Sequence, residues 1–562
     1  MRRPSSSPVR RLLPIAAAAL GALFLVPARA PAQNTGYSVR GTVLDSVSGQ
    51  PLGRALIELN QDFATLTGGD GQFSFDNVPS GSYMVTVAKP GYFGFGFASG
   101  LMSRPNSGIP MQPRPPRQIQ VGPDMAALTF RITPLAVITG QVTLSTSDPA
   151  DGIQVSAYTQ RMQNGRLHWI LADSARTRSD GSFRLDNLSA GNYLVYTQPS
   201  LDHDGPATTR GPSFGYPAVY YPGVTDPASA GLLSLRAGQH AEADISLVRQ
   251  PFFPVTAVVR TSDPGQFLSF TVLDGSGRQT RISASYDRRT QTVTADVPNG
   301  SWSLDAHSFG REALWGRADF QVAGAPVGLA ISLLPVPHIP VNISRDFTAS
   351  TDPSQPFQTS GPGINLFLSS AGDFSMFPYG GGINSVEGSQ GKQWELRVQE
   401  PGRYWVQAQA FPPAYISSIS SGGVDLAANP LLIVPGSDPA PIDVTLRNDG
   451  GTITGDVPGE SRTLTGGASA GVQQPQIWIY AIPLFPTPST IPTGFLQPDG
   501  NFTIPNLAPG SYQVIACDSQ QDIDFHSPTG LAAWAGKGQS VTVDPGGTAH
   551  VDLTVISTGT SQ

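Results

Sequence analysis

One short phrase recurs along this chain at nearly constant spacing. Its three full copies are Asp70–Tyr83, Asp180–Tyr193 and Asp499–Tyr512, and each opens with Asp-Gly-x-Phe and ends with Gly-x-Tyr. Two shorter copies end in Gly300-Ser301-Trp302 and Gly402-Arg403-Tyr404. The glycine of the Gly-x-aromatic ending returns after 110, 109, 102 and 108 residues. One domain of about that size is therefore repeated five times.

The phrase predicts turns and strands. Asp-Gly between alternating runs is typical of a tight hairpin, because both central residues of a type I′ turn need positive φ. After Asp70-Gly71, Phe73 and Phe75 alternate with polar residues, which indicates a half-buried strand. A second turn ends at Gly81 and another alternating strand follows. We therefore expect each copy to contain two hairpin-linked strands that face one core.

A second phrase, which reads strand, Gly turn, strand, closes every repeat; in the first it runs from Val121-Gly122-Pro123 to Leu128–Ile132. Short strands, turn signals every ~8 to 12 residues and no sustained helical period predict an all-β array of five tandem antiparallel β-sandwiches, prealbumin-like or Ig-like. We call the repeats units 1 to 5, with units 3 and 4 degenerate. Their predicted bounds are 37–134, 135–250, 251–337, 338–448 and 449–557.

Aromatic residues recur at two equivalent positions of the units, and a repeated structural position belongs to the core by default. Unit 3 departs most from the pattern, because Thr292 and Thr294 stand where Phe or Leu is expected. The predicted core aromatics are Phe73, Tyr83, Phe183, Tyr193, Trp302, Trp394, Tyr404, Phe502 and Tyr512.

Residues 1–32 are typical of an export signal peptide. Arginines precede the apolar stretch Leu12–Val26, and Ala30-Pro31-Ala32 supplies small residues before a cleavage at Gln33. A twin-arginine signal at Arg10-Arg11 is the less favoured alternative to the general secretory route. The apolar stretch is too short and too Ala-rich for a membrane span, and no later run is long enough for one. The sequence predicts a periplasmic or extracellular protein, soluble or associated with the cell surface.

Charge and cysteine usage exclude some function classes. Charged residues make up 13% of the chain, about half the usual share, and the arginines are scattered, which disfavours a nucleic-acid partner. Cys517 is the single cysteine, so no internal disulfide can form. Its strand-like surroundings favour a buried apolar role over a reactive thiol.

Four segments of unit 1 stand out together: Gly41–Asp45, Ser48–Ala55, the Asp70–Tyr83 phrase and Lys89–Tyr92. Together they resemble the carboxypeptidase regulatory-like domain, and the resemblance extends over units 2 and 5. It implies a prealbumin-like sandwich, a fold often grouped with the carbohydrate-binding-like and Cna B-type folds. It implies no reaction, because peptidase activity in that family belongs to a separate zinc domain with a His-x-x-Glu motif that this chain lacks.

No catalytic, cofactor or metal site is predicted. Gly211–Gly215 matches a Gly-x-Ser-x-Gly elbow, but it lies in a Pro/Gly-rich connection and not between a strand and a helix. Asp202–Gly205 resembles the start of a calcium loop without its later ligands, so a solvated turn is favoured. With Lys89, Lys392 and Lys537 as the only lysines, a Lys-Asn crosslink in every unit is excluded.

Aromatic rings in the long connections are the candidate ligand contacts. Flat rings on loops at the edge of a rigid sandwich can stack on sugar faces, although packing beneath the loop is the favoured alternative. Neighbours in an extended segment point to opposite sides, so one of Tyr220 and Tyr221 should anchor its loop and the other should be available. The candidates are Phe93, Phe95, Phe97, Tyr216, Tyr220, Tyr221 and Tyr415.

Three functions stay open at this point. The chain can be a non-catalytic binding protein for a carbohydrate or cell-surface polymer, a structural spacer or adhesin stalk, or an accessory subunit of an exported enzyme. As a stand-alone enzyme it lacks an acid/base, nucleophile or metal set. The expected partners are a polysaccharide, a cell-surface polymer or another exported protein, with no cofactor and no nucleic acid. An exposed row of aromatic rings would favour the first function over the second.

Overall fold

The computed structural model describes residues 36–60, 62–94, 117–123, 125–163, 165–202, 213–262, 266–309, 312–348, 361–372, 374, 381–388, 391–398, 400–458, 477–497 and 499–557. In these residues, strands form five successive sandwiches, each around its own apolar core. The predicted all-β fold is confirmed. Two short helices accompany the strands, a 3-10 turn at Pro227–Ser229 and α1 (Pro528–Trp534).

Unit 1 packs two four-stranded sheets face to face, with orders β4-β1-β8-β6 and β3-β2-β5-β7. Alternation of apolar and polar residues turns one face of each strand inward. The strands are β1 (Tyr37–Asp45), β2 (Leu56–Leu59), β3 (Phe63–Leu66), β4 (Gln72–Val78), β5 (Gly81–Ala88), β6 (Tyr92–Phe93), β7 (Arg117–Val121) and β8 (Leu128–Pro134).

Unit 2 has the same plan, but its β10–β11 hairpin is much longer than the equivalent β2–β3 hairpin. One sheet runs β11-β10-β13-β16 with β17 also on β13, and the other runs β12-β9 with β18 and β19 on β9. The strands are β9 (Ala136–Leu144), β10 (Gln154–Gln163), β11 (Arg166–Arg176), β12 (Ser182–Leu188), β13 (Gly191–Thr197), β14 (Ser200–Leu201), β15 (Ser213–Tyr216), β16 (Val219–Tyr220), β17 (Leu232–Leu235), β18 (His240–Glu242) and β19 (Ile245–Leu247).

Unit 3 shares a sheet with the end of unit 2, because β15 pairs with β20. Its sheets run β14-β15-β20-β23-β22, with β26 on β20, and β21-β24-β25-β27. The strands are β20 (Gln250–Arg260), β21 (Leu268–Asp274), β22 (Ser285–Asp287), β23 (Thr292–Pro298), β24 (Gly300–Ser308), β25 (Leu314–Val322), β26 (Val327–Ser332) and β27 (Leu334–Pro335).

The departure of unit 3 at Thr292 and Thr294 has a structural cause. In unit 1 the β1–β4 ladder shifts register near Asn77, which has φ 60°, whereas the β20–β23 ladder runs without a shift. Losing the bulge residue moves the side chains that precede the bulge to the other face of the strand. Val293 and Ala295 therefore face the core of unit 3, and the threonines do not.

In unit 4 a single nine-stranded path, β34-β33-β36-β28-β31-β30-β29-β32-β35, surrounds one core. The β30–β31 hairpin connects the two faces of the sandwich, because β30 also pairs with β29. The strands are β28 (His338–Asp346), β29 (Ile364–Ser370), β30 (Gly381–Gly388), β31 (Gly391–Val398), β32 (Gly402–Ala410), β33 (Tyr415–Ser421), β34 (Val424–Asp425), β35 (Leu431–Ile433) and β36 (Ile442–Arg447).

Unit 5 pairs β40-β37-β43 on one face and β39-β38-β41-β42, with β44 on β41, on the other. Its helix α1 begins after Ser527, whose side chain accepts from the Gly530 N–H, and Pro528 occupies the first turn. The strands are β37 (Gly451–Asp456), β38 (Trp478–Pro483), β39 (Thr493–Phe495), β40 (Asn501–Leu507), β41 (Gly510–Cys517), β42 (Gln539–Val543), β43 (Thr548–Asp552) and β44 (Val555–Ile556).

The recurrent phrase connects the two sheets of a sandwich and does not form hairpins, so the hairpin prediction is wrong. In unit 1, β3 and β5 lie in one sheet and β4, between them in the chain, lies in the other. Alternation reveals that a strand is half-buried but carries no information on its pairing partner. Each unit also pairs its opening strand with a closing strand in parallel, as β1 with β8 and β37 with β43.

The Asp-Gly turn also differs from the predicted type I′ turn. Gly71 has φ 73°, but Asp70 is not among the residues with positive φ. The Asp70 carboxylate accepts from the Gln72 N–H at 3.0 Å, and the Gly71 N–H donates to the Gly68 carbonyl at 3.0 Å. A glycine is needed at position 71 because a Cβ there would lie 2.8 Å from the Val43 carbonyl oxygen of β1.

An aromatic corner explains the Gly-x-aromatic ending in all five units. The polar atom of each ring donates to the carbonyl of the residue four positions earlier, as Tyr83 Oη does to Pro79 at 3.1 Å. In unit 3 the Trp302 Nε1 keeps the bond, to Pro298 at 2.9 Å. The other three bonds are Tyr193 to Ser189, Tyr404 to Glu400 and Tyr512 to Ala508.

Most of the predicted core aromatics lie inside the sandwiches. Trp394 is half-buried and packs against the core of unit 4. The buried ones are Phe73, Tyr83, Phe183, Tyr193, Trp302, Tyr404, Phe502 and Tyr512.

Candidate functional site at the contacts between units

The structure buries three of the candidate ligand-stacking rings. Tyr216, Tyr220 and Tyr415 are 9%, 2% and 8% exposed. A buried ring has no face left for a sugar, so these three rings are not available to a ligand. Phe93 and Tyr221 are half-buried, whereas Phe95 and Phe97 lie outside the described residues.

Tyr220 lies instead in an aromatic cage around the guanidinium of Arg278. The guanidinium carbon is 4.6 Å from the ring centre of Tyr196, 5.1 Å from that of Tyr220 and 4.8 Å from that of Phe374. The Tyr196 and Tyr220 rings are themselves stacked at 5.2 Å. We call Arg278 and these three rings the arginine cage.

The arginine cage holds a buried charge. Arg278 is 3% exposed and its Nη2 lies 2.7 Å from Oδ2 of Asp274, while it also donates to Tyr220 Oη. Its Nη1 has no hydrogen-bond partner in the described part of the chain, so ring faces stabilise that side of the cation. Burial raises the pKa of Asp274 and lowers that of Arg278. Removal of either group would leave the other charge buried without its partner.

The cage joins three units. Tyr196 and Tyr220 belong to unit 2, Arg278 and Asp274 to unit 3, and Phe374 to unit 4. Cation-π contacts become stronger when water is excluded, reaching about 2 kcal/mol or more. The cage is therefore a buried contact between three units.

The β10–β11 hairpin of unit 2 extends this contact along unit 4. The Trp169 ring stacks on Phe374 with centres 6.2 Å apart and planes 13° apart, and Tyr158 meets Phe374 edge-on at 5.6 Å. His168 Nδ1 lies 3.3 Å from the Gly372 carbonyl oxygen. Because that oxygen can only accept, His168 carries its proton on Nδ1 in this contact.

The tip of the same hairpin reaches units 4 and 5. The Arg166 guanidinium lies 3.4 Å from the ring centre of Trp405 in unit 4. Gly165 packs on Phe525 of unit 5 so closely that any Cβ there would clash with the ring. Burial lowers the pKa of Arg166 to about 10, while Asp524 opposes that shift.

His526 of unit 5 lies at this junction. Burial, followed by the nearby positive charge of Arg166, lowers the pKa of His526 from 6.5 to about 4. The imidazole is therefore neutral in the folded protein at neutral pH. It packs against the neighbouring Phe525 ring with centres 4.0 Å apart and ring planes tilted by 37°.

Units 4 and 5 are also joined directly. The Ala408 N–H donates to the Pro488 carbonyl, and Ser489 Oγ donates to the Ala408 carbonyl, both at 3.0 Å. Tyr415 Oη donates to Asp449 at 3.0 Å, and burial together with that carboxylate raises the pKa of Tyr415 to about 12. Unit 2 thus contacts units 3, 4 and 5, and the chain folds back on itself.

A pair of phenylalanines on unit 3 is exposed. Phe267 and Phe309 are 65% and 64% exposed. Phe267 directly precedes β21 and Phe309 directly follows β24, so the end pair Leu268↔Ser308 places the two residues near each other just beyond the strands. Because Leu268 and Ser308 turn inward, both phenylalanines turn outward. His307 lies on the same face and meets Phe309 edge-on at 4.9 Å.

Sequence reasoning missed the residues that join the units. Asn164-Gly165 between two alternating runs is the strongest short hairpin signal, and it could have revealed the long β10–β11 hairpin. Arg278 and Phe374 carry no local signal, because their aromatic partners lie in other units, from 58 residues away for Arg278 and Tyr220 to about two hundred for Phe374 and Trp169.

Cys517 is fully buried, and burial raises the pKa of its thiol to about 11. The thiol is therefore protonated at neutral pH and a poor nucleophile. Neither of the two short helices in the described residues is long and apolar enough to cross a membrane.

Residues 38–95 match the family model of the carboxypeptidase regulatory-like domain, which confirms the resemblance in unit 1. No curated protein sequence matches the chain.

Several solved structures are similar in fold. The Bacillus anthracis TIE protein is 12% identical, with 53% of this chain and 51% of that chain covered and a TM-score of 0.16. The Streptococcal ancillary pilin is 10% identical, with 53% and 99% covered and a TM-score of 0.18. The minor pilin GBS52 of Streptococcus agalactiae is 11% identical, with 39% and 100% covered and a TM-score of 0.17. This chain spans about half the length of the Bacillus anthracis protein. TM-scores of this size establish no shared arrangement of domains.

Proposed function

We propose that this chain is a non-catalytic exported binding protein whose interlocked sandwiches hold a binding surface for a carbohydrate or cell-surface polymer. The observation that carries the proposal is the contact of unit 2 with units 4 and 5, through Trp169 on Phe374 and Gly165 on Phe525. A stalk is long only when each domain contacts just the domains before and after it in the chain. A chain that folds back loses that length and gains rigidity, which favours binding over spacing.

The exposed pair Phe267 and Phe309 is the surface that we assign to the ligand. Phe267 comes directly before β21 and Phe309 directly after β24, so the last pair of the two strands limits the freedom of both backbones and lowers the entropic cost of binding. Flat aromatic faces pack well against the apolar C–H faces of sugar rings. Tyr221 is a second contact candidate, since its neighbour Tyr220 is the buried member of the pair.

The test compares retention on polymers. The chain without residues 1–32 is incubated with insoluble polysaccharides and cell-wall preparations, and the bound fraction is measured for wild type and for the double variant Phe267→Ala, Phe309→Ala. We expect the double variant to lose at least about tenfold in affinity with an unchanged melting temperature. Phe411→Ala, at a 44% exposed phenylalanine of unit 4, is the matched control and should bind as wild type does.

Two results would favour other functions. If small-angle scattering shows an extended chain, the fold-back is absent in solution and the spacer function is favoured. If the compact chain binds no polymer but captures an exported enzyme, the accessory-subunit function replaces the proposal.

A further inference from the structure

The outer face of unit 5 carries a cluster of three potential metal ligands. Asp456 ends β37, and His550 and Asp552 lie on the adjacent parallel strand β43. His550 Nε2 lies 3.2 Å from Asp552 Oδ1 and 3.7 Å from Asp456 Oδ2, and all three ligand atoms lie within 4.8 Å of one another. We propose that these residues form a binding site for a divalent transition-metal cation such as Zn²⁺.

The separations between the side-chain atoms suit one cation. Two ligands bound ~2.1 Å from the same ion stand about 3.0 Å apart at a right angle and about 3.4 Å apart at a tetrahedral angle. The separations of 3.2 Å and 3.7 Å are close to these values, so small side-chain rotations bring all three atoms to one ion. Both strands belong to a sheet, and the register Asp456↔Asp552 fixes the carboxylates side by side.

Thr454 sets the orientation of the imidazole. Its Oγ1 lies 3.4 Å from His550 Nδ1, on the opposite side of the ring from the two carboxylates. When Nδ1 carries the proton and donates it to Thr454, the Nε2 lone pair faces two negative charges, an arrangement that a cation stabilises. Histidine ligands commonly donate their other ring N–H to a neighbouring oxygen in this way.

The donor set indicates the class of metal. One imidazole nitrogen and two carboxylate oxygens suit Zn²⁺, Co²⁺ or Ni²⁺ better than Ca²⁺ or Mg²⁺, which prefer oxygen alone. His550 and Asp552 are 60% and 69% exposed, so water can occupy the remaining coordination positions. The site is therefore open, and we expect a modest affinity.

The same place in unit 2 offers a matched comparison. Aligning Gly140 with Gly455 puts Gln141 at the position of Asp456, Glu242 at that of His550 and Asp244 at that of Asp552. There the Asp244 carboxylate accepts from the Gln141 N–H at 2.8 Å. The equivalent place in unit 2 thus lacks the imidazole. Of units 2 and 5, we assign the cation site to unit 5.

The experiment titrates the untagged, chelator-treated chain without residues 1–32 with Zn²⁺ in a calorimeter. We expect the wild type to bind one Zn²⁺ per chain. His550→Gln and Asp552→Asn should each lower the affinity for Zn²⁺ at least about tenfold, and Thr454→Val should lower it several-fold. Glu242→Gln is the control and should bind as wild type. Co²⁺ bound to the wild type should show a visible absorption band that His550→Gln abolishes.

Because the three ligands are on the surface, the variants should keep the wild-type melting temperature in the absence of metal. Zn²⁺ should raise the melting temperature of the wild type but not that of His550→Gln. Absence of Zn²⁺ binding by the wild type, or equal binding by His550→Gln and the wild type, would overturn the proposal and leave a surface ion pair only.

Discussion

The β2–β3 hairpin of unit 1 and the β10–β11 hairpin of unit 2 occupy the same place in the fold but contact different parts of the molecule. The first pairs four residues on each strand, and its Phe63 meets Tyr83 of its own core edge-on at 6.2 Å. The second continues to the pair Gln163↔Arg166, and its Trp169 stacks on Phe374 of unit 4. A longer hairpin therefore converts an internal packing element into a contact between domains.

The two units therefore share the same core, and the length of the hairpin decides whether the unit also contacts other units. Both hairpins pair with the strand that carries the aromatic corner, β5 in unit 1 and β13 in unit 2. The core beneath them is equivalent, with Tyr83 and Tyr193 both buried. The additional residues of β10 and β11 lie beyond that core and change only what surrounds it.

The largest expected effect comes from the aromatic corners. Tyr83→Ala and Tyr193→Ala should each lower the free energy of unfolding of their unit by ~3 to 5 kcal/mol, because each removes a large buried ring. Only Tyr193→Ala should also speed hydrogen exchange in units 3 and 4, since β13 carries Tyr196 of the arginine cage. Hydrogen exchange resolved by segment measures both effects. A loss below about 1 kcal/mol for Tyr83→Ala would mean that the ring is not buried.

Arg278→Ala should have the next largest effect. It leaves Asp274 without its partner and empties the cage, which should cost ~2 to 4 kcal/mol in the free energy of unfolding. Chemical denaturation measures the change. Arg397→Ala is the matched control, because Arg397 pairs with Glu395 at 2.7 Å and both side chains are partly exposed, at 48% and 17%, so we expect a loss of about 1 kcal/mol there. Equal losses for the two variants would contradict a special role for the cage.

Trp169→Ala tests the hairpin directly. Loss of the stack on Phe374 should cost ~1 to 2 kcal/mol and increase the radius of gyration measured by small-angle scattering. Phe63→Ala in unit 1 should weaken that unit and leave the radius unchanged. Leu167→Ala, at a 51% exposed position of the same hairpin, controls for general damage to the strand. An unchanged radius in Trp169→Ala would mean that the hairpin does not hold the units together.

The last effect is absent at neutral pH and appears only on acidification, at the hairpin tip. The folded protein keeps His526 neutral down to about pH 4, whereas the unfolded chain takes up a proton near pH 6.5. Below pH 6.5 the unfolded state therefore binds more protons, and stability falls as the pH drops towards 4. Melting temperatures between pH 4 and 7 should fall more for wild type than for His526→Gln. The exposed His240→Gln should follow wild type, and parallel curves for wild type and His526→Gln would contradict the assignment.

Much of the fold could be predicted from the sequence, and the particular failures have physical reasons. The spacing of Gly81, Gly191 and Gly510 revealed the repeat, because each glycine precedes a corner that the fold needs once per unit. The hairpin prediction failed because alternation of Phe73 and Phe75 indicates a buried face but not a partner strand. The loss of one residue between Ala295 and Val297 was visible only as a mismatch at Thr292 and Thr294, since the absent bulge is a property of the ladder.

The candidate site was less predictable. Tyr220 and Tyr415 were expected in connections, where exposed rings are common, but they lie on β16 and β33 and contact Arg278 of unit 3 and Asp449 at the start of unit 5. Asp456 and His550 are almost a hundred residues apart in the chain, so no motif joined them before the parallel pairing of β37 and β43 was known.

The sequence by itself determined the repeat, the sandwich class and the rings that fill each core, because these depend on local turn chemistry and on alternation within one strand. The tertiary structure alone decided which rings are buried between units, where the chain folds back and which charged groups meet on one sheet face. These properties depend on contacts between residues far apart in the chain, and local sequence patterns carry no information on such distances.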